Sequence, residues 1–171
     1  MVTEAALPTA VTRPTRPADL AEIAALHDAV FGPGAYTRTA YRIREAAAQP
    51  VSPYCLVSRI DGEVVAAVRF TPVSIGGSDG ALLLGPLCVA SARSGQGYGR
   101  ALVAEGLEAA KAAAIRLVLL VGNDSYYARF GFVPVPAGQI TMPGPVDLKR
   151  LLAAELQPSA LAGYRGVISA V

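Results

Sequence analysis

Glycines alternate at 95, 97 and 99 in the string Arg93-Ser94-Gly95-Gln96-Gly97-Tyr98-Gly99-Arg100, and the residues on either side make this string the joint of the chain. Before it, Ala81 to Ala90 is an almost unbroken apolar run. After it, Val103, Leu107, Ala110 and Ala114 recur at helical spacing, which predicts a helix from Gly97 to about Ala114. Arg116 to Val121 then reads as a short strand of the fully buried kind. A strand, a helix and a strand in that order imply a parallel pair, because a crossover returns the chain in its original direction.

The joint is also chemically specific. The first N–H groups of a helix lack intrahelical partners and sit at the positive end of its dipole, so they bind anions. Glycine lets a ligand approach the backbone closely and accepts positive φ. Arg93 and Arg100 flank the loop and add guanidinium donors. The expected ligand is a pyrophosphate or another multiply charged group; a merely flexible turn is the competing reading. A P-loop would end in Gly-Lys-Ser/Thr, and a dinucleotide fold would space its glycines G-x-G-x-x-G. No such triplet follows, and the third glycine comes one residue early.

Upstream, Asp19-Leu20 opens a predicted first helix with Ile23, Leu26, Val30 and Phe31 at helical spacing, ended by Gly32-Pro33-Gly34. Ala35 to Gln49 predicts a second helix, with Tyr36, Ala40, Ile43 and Ala47 on one face and Arg38, Arg42, Arg44 and Glu45 on the other. Tyr54 to Ile60 and Glu63 to Val73 are two strands joined by Asp61-Gly62, a dipeptide that suits the positive φ angles of a type I′ turn. With Ala81 to Ala90 they form an antiparallel meander, and Gly85-Pro86 predicts a bulge or a splayed strand because proline cannot donate to a ladder. Downstream come a short helical piece near Ser125 to Phe130, a strand starting at Phe132, and a Pro/Gly-rich stretch from Val133 to Pro145. A last helix is expected from Val146 to Leu156. The fold class is α/β (α+β), a mixed and mostly antiparallel sheet with flanking helices, in one domain at 10–155 with 156–171 as an extension packed upon it.

Composition excludes several other classes. Apolar residues are 53% and charged residues 16% of the 171, ample for a packed core. A formal charge of +2 does not suggest a nucleic-acid partner. Cys55 and Cys88 are far apart and His27 is the lone histidine, so neither a disulfide framework nor a metal centre is expected. No run approaches signal-peptide or membrane-span length, which makes the cytoplasm the expected compartment.

The glycine string resembles motif A of the GCN5-related N-acetyltransferase (GNAT) superfamily, Q/R-x-x-G-x-G/A, with Gly97 and Gly99 at the small positions and Ser94 where Gln or Arg is usual. Tyr126-Tyr127-Ala128-Arg129-Phe130-Gly131-Phe132 resembles the family's later motif, at the right distance after the Arg116–Val121 strand. The resemblance covers roughly residues 10–155 and is similar to the YhbS-like group. It implies a splayed parallel strand pair with the pantetheine arm of acetyl-CoA, or another short acyl-CoA, between the strands. Leu87, Cys88 and Val89 would then offer backbone groups to pantetheine, with Asn123 assisting. Arg93, Ser94, Gly95, Gln96, Gly97, Tyr98, Gly99 and Arg100 would hold the pyrophosphate.

The same resemblance implies that Tyr127 is the general acid toward the departing sulfur, with Tyr126 packing beside it. A core aromatic is the alternative reading of Tyr127. Cys88 reads as a small buried hydrophobe rather than a nucleophile, His27 as a partly exposed helix residue, and Arg129 as a solvated charge. Glu45, Glu63 and Asp124 are candidate bases. Tyr36, Tyr41, Arg38 and Arg42 are candidates for the acceptor pocket, although a solvated helix face also accounts for the arginines. The implied reaction is direct acetyl transfer to the amine of a small molecule, protein or peptide, with a homodimer left open. The alternatives are a non-catalytic acyl-CoA-binding module and nucleotide-dependent redox chemistry.

Overall fold

The computed structural model describes residues 9–32 and 39–171. Strand β1 (Val11–Pro14) leads through a single 3-10 turn into helix α1 (Leu20–Phe31), and a second helix, α2 (Thr39–Glu45), follows. The meander comprises β2 (Leu56–Ile60), β3 (Glu63–Ile75) and β4 (Ser78–Val89). Helix α3 (Tyr98–Ala112), strand β5 (Leu117–Val121) and the one-turn helix α4 (Asp124–Tyr127) complete the central unit. Strands β6 (Val133–Pro134), β7 (Ile140–Thr141), β8 (Leu151–Glu155) and β9 (Gly166–Ala170) end the chain.

The sheet runs β1-β2-β3-β4-β5-β8-β6, with β9 paired to β3 and to β7. All pairs are antiparallel except β4 with β5 and the two-residue pairing of β7 with β9. The residues of β5 alternate strictly between two cores. Val118 and Leu120 pack with Phe70, Leu82, Leu102 and Leu152. Leu117 and Leu119 pack with Ile75, Leu83, Leu151 and Ile168. Both faces of the strand are covered, which is why its sequence is apolar without alternation. Burying each of these leucines is worth about 1.5–3 kcal/mol.

Several expectations change. The predicted helix from Val146 to Leu156 is instead a 3-10 turn, Leu148–Arg150, followed by β8. Leu151-Leu152-Ala153-Ala154 has good helical propensity, but the strand pairs in full register with β5 and buries all four side chains between the two cores. Burial on both faces overrides a propensity worth tenths of a kcal/mol per residue. Helix α3 stops at Ala112, and Ala114 takes a positive φ of 63° beyond it. The described part of the second helix ends at Glu45, short of Gln49, while Tyr36 and Arg38 fall outside the described residues. Strands β1 and β9 have no counterpart among the sequence expectations.

At the start of the chain, buried Asp19 accepts from Arg13 Nη1 at 2.7 Å, from Arg59 Nη2 at 2.7 Å and from the Arg16 backbone N–H at 2.8 Å. The Arg13 hydrogen bond, then the Arg16 amide and Arg59, hold its carboxyl far below the ordinary value despite burial.

Candidate active site

The site begins where β4 breaks away. Its pairing with β5 covers only Ala81–Leu83 against Leu117–Leu119. In its pairing with β3, Val68 faces Leu87 and Phe70 faces Leu84, so β4 carries one extra residue at the expected position, Gly85-Pro86. Beyond the bulge, Leu87, Cys88 and Val89 pair with β3 on one side and, among the described residues, have no strand on the other. The two strands therefore separate like a partly opened seam.

The glycine loop lies at the mouth of that seam. A 3-10 turn at Ser91–Arg93 leads to Gly97, which has φ 91° and ψ 3° and is the N-cap of α3. Only glycine adopts that backbone cheaply, and nothing lies within 4 Å of where a side chain at Gly97 would project. No side chain caps the helix, so its leading amides have no side-chain partner. A Cβ at Gly99 would stand 3.3 Å from the Tyr126 hydroxyl and from Val89 Cγ2, which places the helix start against the open edge of β4. Gln96, Arg100 and Ser94 are exposed around the loop, with Arg93 half-buried and Tyr98 packed against the α3-side core. Ser94 leaves the position usual for Gln or Arg without a long side chain.

A cleft of about 710 Å³ runs from the open seam to α2, with Leu87, Asn123, Tyr126, Tyr127 and Tyr41 among its walls. Its rim is tied by Thr39, whose hydroxyl donates to the Pro145 carbonyl at 2.7 Å. Asn123 is the N-cap of α4, and its carbonyl accepts from the Tyr126 and Tyr127 amides. Tyr127 packs its ring edge-on against Phe132 at 5.8 Å and against Tyr126 at 4.9 Å. Burial, followed by the neighbouring Tyr126, pushes its phenol up to about 12, while Arg44 opposes the rise. The hydroxyl is thus fully protonated at neutral pH.

The structure brings together the seam, the glycine loop, Asn123 and Tyr127, but it redistributes the other candidates. Glu45, Glu63 and Asp124 are exposed and do not line the cleft, whereas Asp147 does. Asp147 lay inside the mistaken last helix, where no sequence signal set it apart. His27 is buried rather than partly exposed, its ring 4.9 Å from Phe31 and 5.3 Å from Tyr41. Arg129 stacks its guanidinium over Tyr126 at 5.0 Å. Cys88 is 1% exposed, and burial raises its thiol to about 12, so it is no thiolate nucleophile. Arg44, placed by its spacing on the same helix face as Arg42 and Glu45, is buried and lines the cleft. Among the described residues no group of three or more His, Cys, Asp or Glu side chains could hold a metal, and no helix is long and apolar enough to cross a membrane.

A mixed sheet with one parallel pair and flanking helices is the fold this chain shares with acetyltransferases solved with CoA or acetyl-CoA. The acetyltransferase (GNAT) domain model matches residues 52–134. A GNAT family acetyltransferase from Brucella melitensis, solved in complex with acetyl-CoA, is 33% identical, with 90% of this chain and 99% of that chain covered and a TM-score of 0.63. The GNAT family N-acetyltransferase YhbS from Escherichia coli, solved in complex with CoA, gives a TM-score of 0.81 at 28% identity, covering 96% of this chain and 91% of its own. In sequence, the uncharacterized N-acetyltransferase YhbS of Escherichia coli K12 is 30% identical over 109 residues, 63% of this chain; that match spans 65% of the relative's length. The chain belongs to the GNAT family.

Proposed function

We propose that this protein is an N-acetyltransferase that moves the acetyl group of acetyl-CoA directly to a primary amine, with Tyr127 as the general acid. The observation that carries the reading is the opened β4–β5 seam, which has the uncapped N-terminal amides of α3 at one end and a protonated, half-buried tyrosine in the cleft at the other. Relatives solved with CoA and with acetyl-CoA support the choice of donor.

Acetyl-CoA, when bound, supplies a thioester whose carbonyl carbon accepts the amine nitrogen and whose sulfur departs as a thiolate. The loop from Arg93 to Arg100 anchors the charged end of the donor through the α3 amides. The free edge of β4 at Leu87, Cys88 and Val89 offers main-chain groups to the pantetheine amides, and an N–H there stabilises charge on the carbonyl oxygen. Asn123 adds a side-chain hydrogen bond at the opposite wall. Tyr127 gives its hydroxyl proton to the departing sulfur and regains a proton from the one the nitrogen sheds as the amide forms. Cys88 takes no covalent part.

The test has two arms. Binding of the donor should raise the unfolding free energy by about 2.7 kcal/mol at 100 times its dissociation constant, and a panel of amines should yield free thiol together with product of acetylated mass. An unchanged melting temperature at millimolar acetyl-CoA would remove the proposed site. Binding without turnover on any amine would leave a cofactor-binding protein rather than an enzyme.

A further inference from the structure

Arg44 is the least explained group in the molecule. It sits on α2 at 8% exposure, yet no carboxylate lies within ion-pair distance of it among the described residues. Its Nη2 donates to the Leu84 carbonyl over a long 3.4 Å, and its Nε is buried with no partner. The guanidinium lies beside the β4 bulge: a Cβ at Gly85 would stand 2.5 Å from Nη2. Its guanidinium stands over the Tyr41 ring, 5.9 Å from Cζ to centroid. Burial first, and then the like charge of Arg69, lower its pKa to about 10, so it still carries a full positive charge at neutral pH. Arg69 supplies no compensation, since its own guanidinium donates to the Arg44 carbonyl at 2.9 Å.

A desolvated guanidinium with unused donors is costly unless an anion completes it. Arg44 opens onto the 710 Å³ cleft, at the bulge from which the free edge of β4 departs. Arg42 and Arg150 line the same cleft and are exposed; against them stands one carboxylate, Asp147, which accepts from the Lys149 amide at 3.0 Å. The cleft is therefore lined by three arginines against one carboxylate, a positive wall available to the acceptor when the donor lies along the seam.

We propose that Arg44 is the specificity-determining residue for the acceptor, and that the acceptor is an amine that also bears a carboxylate, which the planar guanidinium binds through its free N–H groups. This rests on the acetyltransferase reading for the transfer itself but not for the binding. The fork of an arginine matches a carboxylate in two parallel hydrogen bonds, so an acid should be held in one orientation with its amine set toward the reacting carbon.

The experiment compares matched pairs: glycine, L-alanine, L-phenylalanine and L-glutamine, each against its carboxamide, with acetyl-CoA and at equal concentrations of free amine. The acids are expected to show kcat/KM at least tenfold above the amides, and Arg44→Gln should abolish that ratio while acetyl-CoA affinity is retained. Arg44→Lys, which keeps the charge and fills similar space, should restore part of the ratio. Amides that react as well as acids, or a ratio unchanged in Arg44→Gln, would overturn the proposal. An equal loss on both members of each pair would also overturn it, by assigning Arg44 to the reacting carbonyl.

Saturation-transfer NMR on the wild-type protein with CoA bound reads binding of the same pairs without turnover. Acids binding where amides do not supports the carboxylate site even if no amine is acetylated, an outcome that would sink the transferase reading alone. Equal binding, or binding of neither, sinks the carboxylate site.

Discussion

At Ala81–Leu83, strand β4 lies hydrogen-bonded beside Leu117–Leu119 of β5, with a packed core on each face. A few residues further along, at Leu87–Val89, the same strand has β3 on one side and, among the described residues, no strand on the other, and Leu87 lines the cleft. The two stretches are equally apolar in sequence. What separates them is one extra residue at Gly85-Pro86 and a glycine-capped helix start in place of continued pairing. The closed end uses its apolar side chains and its main-chain groups for the fold; the open end uses the side chains for the fold and leaves main-chain groups of one edge without a strand partner. A groove can thus be made from a core strand without polar side chains, provided the neighbouring strand diverges.

If that division is right, substitutions at the two ends should fail differently. The largest effect is expected from Tyr127→Phe, which keeps the ring against Phe132 and removes the hydroxyl. Turnover on a verified amine should fall about 10²–10⁴-fold, with acetyl-CoA affinity changed little and Tyr126→Phe mild by comparison. Full activity in Tyr127→Phe under conditions where chemistry limits the rate would reduce the residue to a wall of the channel. At the closed end, Leu119→Ala should cost about 2–5 kcal/mol of stability in denaturant titration, while the fraction that remains folded binds acetyl-CoA normally.

Asp19 provides a control remote from both ends. Its carboxyl is held below its ordinary 3.8 by Arg13, by the Arg16 amide and by Arg59, so its stabilising contribution is complete above that value. The contribution is lost as pH falls toward the depressed folded value. Asp19→Asn should therefore destabilise by about 1–3 kcal/mol at pH 7 and by progressively less in acid below pH 4, with no change in acetyl-CoA affinity. A deficit that stays constant down to pH 2 would place the cause in packing rather than charge. The smallest effect in view is Gly97→Val, in which a β-branched residue is forced to φ 91° where the ligand approaches. Acetyl-CoA affinity should fall about tenfold, about 1.4 kcal/mol, and wild-type affinity in the folded variant would move the anion site away from the loop.

The sequence was legible wherever structure depended on neighbours in the chain. Asp61-Gly62 marked the hairpin between β2 and β3, and Gly85-Pro86 marked the bulge, because a positive φ or a missing N–H is a property of the residue itself. Alternating glycines at a strand-to-helix joint marked the loop for the same reason. Leu151–Glu155 was misread because leucine and alanine suit a helix locally, and only the partner β5 and the two cores turn them into a strand. Strand β9 was missed because its place depends on β3 and β7, both distant in sequence.

The candidate site divides in the same way. The residue order by itself determined the glycine loop at the start of α3, the aromatic pair at Tyr126-Tyr127 and the strand break, since each is written within a few consecutive positions. Only the tertiary structure decided which charged groups reach the cleft. Glu45, Glu63 and Asp124 stay in solvent, Asp147 arrives at the rim, and Arg44 turns from a helix surface into the interior beside Leu84. The physical reason is that the burial of a charge depends on which elements pack around it, and helical spacing alone does not say which face of α2 meets the bulge of β4.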